Sequence, residues 1–287
     1  VSGAGRLLVV GTPIGNLGDL APRAAEALRS ADLIVAEDTR AAARLLAHLD
    51  ARVRTLSFHA HNAGTRLPGL LARLAAGETL ALTTDAGMPA VSDPGARLVA
   101  AARAAGASIE VVPGPSALTA AFALAGIEAP GFLFGGFLPS RPAGARTLAL
   151  GRLLDAARRT GLPLVLYESP HRVRALLGAL AAEAPASRMA VCRELTKRHE
   201  EVLAGTPAEV LAGLHELRGE FVVVLSGLGE APADSSGLDV AGLLAAGRRA
   251  GLPSRTLVEL LRGAGIGRRE AYRLVDDEAR PEATPPR

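Results

Sequence analysis

The sequence predicts an α/β protein of two sheet-based domains, the first around a parallel sheet and the second around a mixed one, followed by a small helical extension. Three observations carry this. Short apolar runs rich in β-formers alternate with Ala/Leu/Arg-rich segments of helical periodicity, the pattern of βαβ units. Two later runs, Met189–Arg193 and Glu201–Gly205, lie too close together for a crossover helix, so they pair antiparallel. Beyond Leu238 the pattern is helical throughout.

Taken in order, the strand-like runs of the first half are Leu7–Gly11, Leu33–Ala36, Thr55–Phe58, Thr79–Thr83 and Ile109–Val112. Helical segments such as Leu20–Ser30, Arg40–Leu49 and Arg97–Ala105 lie between them. Pro113-Gly114-Pro115 breaks the alternation and sets a domain boundary, giving 1–114 and 115–229. The second half has strands at Phe132–Phe137, Leu164–Glu168, Met189–Arg193, Glu201–Gly205 and Phe221–Leu225. Its helices fall near Arg146–Arg159, His171–Ala182 and Pro207–Leu217. Leu228 to Gly237 reads as a linker. An extension over 238–280 carries helices at Asp239–Ala250, Ser254–Arg262 and Arg268–Asp276, before a polar, Pro-rich tail expected to be disordered.

Composition narrows the function classes. With 49% hydrophobic and 21% charged residues, the 287-residue chain is core-forming. Cys192 is the only cysteine, which excludes an intrachain disulfide and makes the cytoplasm the simplest location. The start of the chain has no signal-peptide layout. The most lipid-like stretch, Ala117 to Phe137, is interrupted by Gly126, Glu128, Pro130 and Gly131, so no membrane partner is expected. A formal charge of +3 permits an anionic partner without requiring one. Of the 32 Lys and Arg residues only Lys197 is a lysine. In so arginine-rich a chain it marks a place for a compact, precisely aimed ammonium, or else a surviving surface lysine.

The most informative stretch is Thr83-Thr84-Asp85-Ala86-Gly87-Met88-Pro89-Ala90-Val91-Ser92-Asp93-Pro94-Gly95. It follows a buried-strand pattern, where open α/β sheets place their ligands, and joins a carboxylate to Gly and Pro positions. It lacks the lysine and spacing of a P-loop and is not G-x-G-x-x-G. The alternative is a tight turn with Asp93 capping the next helix. Other strand ends are similarly polar: Gly11-Thr12-Pro13-Ile14-Gly15-Asn16, Glu37-Asp38-Thr39-Arg40, His59-Ala60-His61-Asn62, Tyr167-Glu168-Ser169-Pro170-His171-Arg172 and Arg193-Glu194-Leu195-Thr196-Lys197. The first-half loops should converge on one crevice. Thr39 and Ser169 also suit helix N-caps, and Glu37 and Asp38 suit a helix N-terminus electrostatically. His59 and His61 have no third ligand at metal-like spacing, so no metal is expected. Charge so concentrated is costly to bury unpaired, which favours a functional cleft holding Asp38, Arg40, Glu168, His171, Arg193, Glu194 and Lys197.

Five of these motifs, all but the His59–Asn62 stretch, make with Val112-Pro113-Gly114-Pro115-Ser116-Ala117 six that occur in order across about two-thirds of the chain, and together they closely resemble the small-subunit ribosomal RNA methyltransferases of the tetrapyrrole methylase superfamily. The resemblance implies a bilobal, S-adenosyl-L-methionine-dependent enzyme, typically a homodimer, with the cofactor folded between the lobes. It implies 2′-O-methylation of a cytidine in the decoding region of 16S rRNA, with the small ribosomal subunit as partner. Carried over motif by motif, Pro13 would line the cofactor pocket. Thr84, Asp85, Ala86, Gly87 and Met88 would hold the amino-acid and ribose portions. Ser116 and Ala117 would contact the cofactor at a helix start, and Leu195 would close over it. A relative methylating a small tetrapyrrole precursor, and a non-catalytic RNA-binding assembly factor, are the alternatives. The basic helical extension and the Glu37-Asp38-Thr39-Arg40 series disfavour the first; the intact Asp85 loop and Lys197 disfavour the second.

A ribose hydroxyl is a poor nucleophile at neutral pH, so a base or an alkoxide-stabilising cation should assist it. The candidates, in order, are Lys197, Glu168, Asp38 and His171. Lys197 fits either role: with its pKa lowered by desolvation beside Arg193 and Arg198 it would accept the proton, and as an ammonium it would stabilise the alkoxide. Arg40, Arg172 and Arg193 are expected to hold RNA phosphates. In the extension, Ser254–Leu261, the Gly263-Ala264-Gly265-Ile266-Gly267 turn and Arg268–Val275 resemble a basic helix-turn-helix that contacts RNA.

Overall fold

The computed structural model describes residues 5–229, 240–263 and 266–277. The chain divides into two compact units, residues 1–229 and 230–287. The first unit begins with β1 (Arg6–Val10), α1 (Pro22–Ser30), β2 (Leu33–Ala36), α2 (Thr39–His48), β3 (Thr55–Ser57), α3 (Ala63–Ala75), β4 (Thr79–Thr83), α4 (Gly95–Ala104) and β5 (Ser108–Val112). Their strands form one sheet in the order β3-β2-β4-β1-β5, with every pairing parallel.

Side-chain alternation explains why these strands read as unbroken apolar runs. Leu8, Val10, Ile34 and Ala81 pack on one face with Leu28 of α1 and Leu45 and Leu46 of α2. Leu7, Leu33, Val35, Leu80 and Leu82 pack on the other with Leu70 and Leu74 of α3 and Leu98 of α4. Burying both faces sends every βα loop to the carboxyl edge, where the chain is free to be polar.

A second sheet follows in the same unit. After α5 (Ala117–Ala125) come β6 (Leu133–Phe137), α6 (Ala143–Thr160), β7 (Leu164–Glu168), α7 (Val173–Glu183), β8 (Arg188–Arg193), β9 (Glu201–Gly205), α8 (Pro207–Gly213) and β10 (Phe221–Ser226). The order is β6-β7-β10-β8-β9; β6 and β7 are parallel and the other pairings antiparallel, so the sheet is mixed. Leu166, Val191 and Val223 face Leu154 of α6 and Leu177 of α7. On the opposite face Val165, Cys192, Val222 and Val224 pack with Ala121 of α5, Ile14 and Leu195.

Departures from expectation are local. Helix α7 starts at Val173 rather than His171, because Ser169-Pro170-His171 forms a turn in which the Ser169 carbonyl accepts from Arg172 and Val173 N–H. Helix α8 stops at Gly213 and not Leu217; a Thr206–Glu209 capping box sets its start. Asp38, not Thr39, caps α2, accepting from Arg40 N at 2.8 Å. Ser169 is no cap; its hydroxyl accepts from Arg172 Nε at 3.1 Å.

The second unit holds α9 (Val240–Arg249), α10 (Ser254–Gly263) and α11 (Arg268–Asp277). Leu244, Leu257, Val258, Leu261, Ala271 and Val275 form its core. Arg248 Nη2 donates to the Val275 carbonyl at 2.6 Å, tying α9 to α11. Most of the expected linker, Ala264-Gly265 of the expected turn, and the tail beyond Asp277 lie outside the described residues. Among the described residues no helix is long and apolar enough to cross a membrane.

Candidate active site

The loops leaving the parallel sheet knit together before they meet the second sheet. Thr12 and Gly87 exchange two backbone hydrogen bonds, Thr12 N to Gly87 O at 2.9 Å and Gly87 N to Thr12 O at 3.1 Å. Gly87 sits at φ +84, a conformation an L side chain resists, and a Cβ there would lie 3.4 Å from Ile14 Cγ2. Gly11 and Gly114 bring the β1 and β5 loops into backbone contact; a Cβ on Gly114 would lie 2.8 Å from the Gly11 carbonyl carbon. Asp93 Oδ1 accepts from Ala90 N at 3.0 Å and Gly95 N at 2.7 Å, so this carboxylate does tie down the start of α4. Ala90 and Ser92 are held at positive φ between these anchors, backbone strain of the kind that clusters at ligand sites.

Between this wall and the second sheet lies a cavity of about 390 Å³. Thr84, Asp85, Ala86, Gly87, Met88, Ser116, Ala117 and Leu195 all line it, so nearly all the residues assigned by resemblance to cofactor binding meet in one place. Phe137, Tyr167, Phe221 and Val222 supply its apolar side. Pro13 lies elsewhere, in an adjoining chamber of about 420 Å³ with Gly15, Asp38, Arg44 and Lys197. The two chambers share Ile14, Thr84, Asp85, Ala86 and Glu220. Each falls in the range of small-molecule sites, roughly 300–1,000 Å³.

The lining fits a compact cationic cofactor with an adenosine-sized body. Asp85, Asp93 and Glu220 give the first chamber an acidic rim around apolar walls. Asp93 Oδ2 is buried without a hydrogen-bond partner, a costly state that a ligand N–H would relieve. Gly87 keeps the wall open at backbone level.

The four catalytic candidates separate sharply. Lys197 reaches the second chamber, with Nζ 2.8 Å from Glu194 Oε1 and 2.8 Å from Glu220 Oε2. Burial works against its charge, but the hydrogen bonds to Glu194 and Glu220 outweigh it and hold the pKa above the ordinary lysine value. Of its two candidate roles the geometry favours the cation: the carboxylates that fold against Lys197 keep it an ammonium. Burial likewise opposes the Glu194 charge, yet Lys197 and the Glu220 backbone lower its pKa. Gly15 packs so closely on Leu195-Thr196-Lys197 that a Cβ would meet the Lys197 side chain.

Glu168 is no free base. Its side chain is 0% exposed, with Arg146 Nη2 at 2.8 Å, Arg172 Nε at 2.9 Å and the Ser169 N–H at 2.7 Å. Asp38 is gripped by Arg40 through its guanidinium and backbone N–H, which lower its pKa to about 2 and make it a weak proton acceptor. His171 is exposed and lines neither chamber. Of the three arginines expected to bind phosphate, Arg172 is committed to Glu168 and Arg193 to Glu201 at 2.8 Å, leaving the 85% exposed Arg40 as the accessible one. Cys192 is buried, and desolvation followed by the Glu200 charge pushes its thiol up to about 11. Among the described residues no three His, Cys, Asp or Glu side chains gather as a metal site.

Two contributors escaped sequence reasoning, and a third, Glu37, was read only as an acid near a helix start. Arg146 lies on α6 without any local motif, and only folding brings it to Glu168. Glu220 follows Gly219, whose φ of +95 turns the chain toward Glu194 and Lys197. Glu37 was visible beside Asp38 at a strand end. It lines the first chamber and accepts from Thr84 Oγ1 at 3.0 Å. Burial raises its pKa against the Thr84 bond, with Asp85 and Asp93 adding to the rise and His59 opposing it.

Two α/β lobes around one cleft define the class, and the family described as Tetrapyrrole (Corrin/Porphyrin) Methylases matches residues 6–211. A Xylella fastidiosa protein named Ribosomal RNA small subunit methyltransferase I is 45% identical over 238 residues, spanning 81% of this chain and 85% of its own. A Synechocystis protein of the same name is 38% identical over 280 residues, 94% and 97% of the two chains. The chain belongs to the tetrapyrrole methylase family and, within it, to the ribosomal RNA small subunit methyltransferase I group. Uroporphyrin-III-C-methyltransferase from Thermus thermophilus shares the fold, with a TM-score of 0.53, 20% identity and coverage of 78% of this chain and 95% of its own.

Proposed function

We propose that the protein is an S-adenosyl-L-methionine-dependent methyltransferase that modifies the 2′-hydroxyl of a cytidine in the decoding region of 16S rRNA, acting in the cytoplasm as a homodimer on the small ribosomal subunit. What supports this most is the meeting of Thr84–Met88, Ser116, Ala117 and Leu195 on one acidic, apolar-walled cavity. The names of relatives at 38–45% identity supply the substrate class.

In this reading those residues hold the cofactor, with Pro13 at the edge of the pocket, and the bound cofactor supplies an electrophilic methyl group on a sulfonium. Phe137, Leu195, Phe221 and Val222 exclude water. The adjoining chamber receives the ribose, with the acceptor oxygen in line at the wall the two chambers share, beside Thr84. Lys197, kept cationic by Glu194 and Glu220, stabilises the alkoxide that develops there. Arg40 and Arg44 are the accessible cations for neighbouring phosphates. In the second unit the exposed Arg262, Arg268, Arg269 and Arg273 form the basic surface for RNA.

The test is a pair of measurements on the same preparation. Calorimetry should show S-adenosyl-L-methionine binding that Asp85→Ala weakens. Methyl label should pass to small subunits lacking modifications and not to a uroporphyrinogen. Label on the tetrapyrrole, or no cofactor binding, would overturn the reading.

A further inference from the structure

The acceptor hydroxyl must lose a proton, and none of the expected groups is suited to take it. Carboxylates lining the two chambers are Glu37, Asp38, Asp85, Asp93, Glu168 and Glu220. Asp38 is held by Arg40, Glu168 by two guanidiniums, and Glu220 by Lys197. Asp93 uses Oδ1 to fix two backbone N–H groups, and Asp85 accepts from the Asp38 N–H at 3.0 Å. Glu37 differs in what its hydrogen bond holds: Asp85 and Asp93 accept from backbone N–H groups and so fix the loop, whereas among the described residues Glu37 accepts from a side chain, the Thr84 hydroxyl at 3.0 Å. Thr84 itself stands on the wall common to both chambers.

We propose that Glu37, on the wall of the first chamber, is the catalytic base that receives the proton of the acceptor hydroxyl, and that Thr84, on the wall both chambers share, is the positioning residue holding its carboxylate. The inference rests on the methyl-transfer reading above and adds to it the group that completes the proton balance. As the acceptor oxygen forms its bond to the methyl carbon, the carbon–sulfur bond breaks and its electron pair stays on sulfur. The hydroxyl proton passes to Glu37, which ends as a neutral carboxylic acid and returns the proton to water after release. Lys197 and Glu37 then divide the work: an ammonium for the developing negative charge, a carboxylate for the proton.

The electrostatic surroundings agree with the role. Burial raises the proton affinity of Glu37, the Thr84 hydroxyl opposes that rise, Asp85 and Asp93 reinforce it, and His59 acts against it. A base works only when deprotonated, so turnover should rise with pH as Glu37 ionises, above the usual glutamate value.

The experiment compares wild type, Glu37→Gln and Thr84→Val. Infrared difference titration of the protein without cofactor should show a carboxyl group titrating above the usual glutamate value, absent in E37Q and shifted to still higher pH in T84V. In single-turnover assays E37Q should lose about 10²–10⁴-fold in rate, a general-base contribution, with cofactor affinity within about twofold by calorimetry. Its acid limb should vanish, while that of T84V moves upward. E37Q turning over at the wild-type rate, or losing cofactor affinity in step with rate, would overturn the assignment while leaving the methyl-transfer reading intact. Failure of the wild type to methylate rRNA would instead remove the reading beneath it.

Discussion

Replacing Glu168 by alanine should destabilise the first unit severely while leaving its chemistry in place. The carboxylate is fully buried, accepts hydrogen bonds from Arg146 Nη2 at 2.8 Å and Ser169 N at 2.7 Å, and is ion-paired with Arg172 Nε at 2.9 Å. Removing one partner of a buried ion pair costs about 3–5 kcal/mol, because the remaining charge is left uncompensated. Here the stranded arginines are 19% and 25% exposed and can regain some water, which places the cost near about 3 kcal/mol at the low end of that range. For a unit of this size each kcal/mol lowers Tm by roughly 2–4 °C, so a fall of roughly 6–12 °C is expected. Thermal unfolding followed by circular dichroism at neutral pH reads it directly. Single-turnover rates well below the melting temperature should stay within about fivefold of wild type, since loss of the ion pair spares the transition-state contacts. A melting curve unchanged in E168A, or an isosteric E168Q that melts normally but no longer turns over, would refute this and restore Glu168 as the base.

Four further outcomes are expected. Lys197→Ala should keep cofactor affinity and lose about 10²–10³-fold in single-turnover rate, the usual cost of deleting one transition-state charge partner; equal loss of both would make the lysine structural. Gly114→Ala drives a Cβ against the Gly11 backbone, which has no side chain to yield, and should cost about 1–3 kcal/mol with weaker cofactor binding, read by melting and calorimetry. Cys192, buried with its thiol pushed up to about 11, should resist an aromatic disulfide reagent at pH 8 and react fully only after denaturation. Reversing Arg268 and Arg269 to Glu should weaken rRNA binding and reduce its salt dependence, with cofactor affinity unchanged; identical salt slopes would remove the second unit from the interface.

The parts of the molecule that were legible in the sequence are those set by local chemistry. Leu33–Ala36, Thr79–Thr83, Leu164–Glu168 and Glu201–Gly205 match the strands residue for residue, because burial on both faces or strict alternation leaves a mark within a few positions. The antiparallel β8–β9 pair followed from the short gap alone. The loops that line the first chamber from the parallel sheet were readable for a related reason: they follow strand ends, and a parallel sheet sends those ends to one edge.

What stayed hidden depends on partners distant in sequence. Glu168 looked like a free strand-end acid, yet Arg146, 22 residues away on an unmarked helical face, neutralises it. Lys197 read equally as base or cation, and against burial Glu194 together with Glu220, 23 residues on, holds it cationic. His171 missed the cleft because Pro170 directs the chain into a turn before α7 begins. Glu37 and Asp38 are adjacent, and one peptide step sends the first to a Thr84 hydroxyl and the second to a guanidinium. Sequence proximity therefore marks where acids cluster, while folding assigns which of them is available for proton transfer.

The most direct measurement is to incubate the protein with S-adenosyl-L-methionine carrying a labelled methyl group and small subunits lacking modifications, then digest the 16S rRNA and locate the label by mass spectrometry. A single 2′-O-methylcytidine in the decoding region is expected, lost in the Asp85→Ala protein. A methyl group on a base, on a different nucleotide, or on no RNA at all would contradict the assignment of this cleft to ribose methylation.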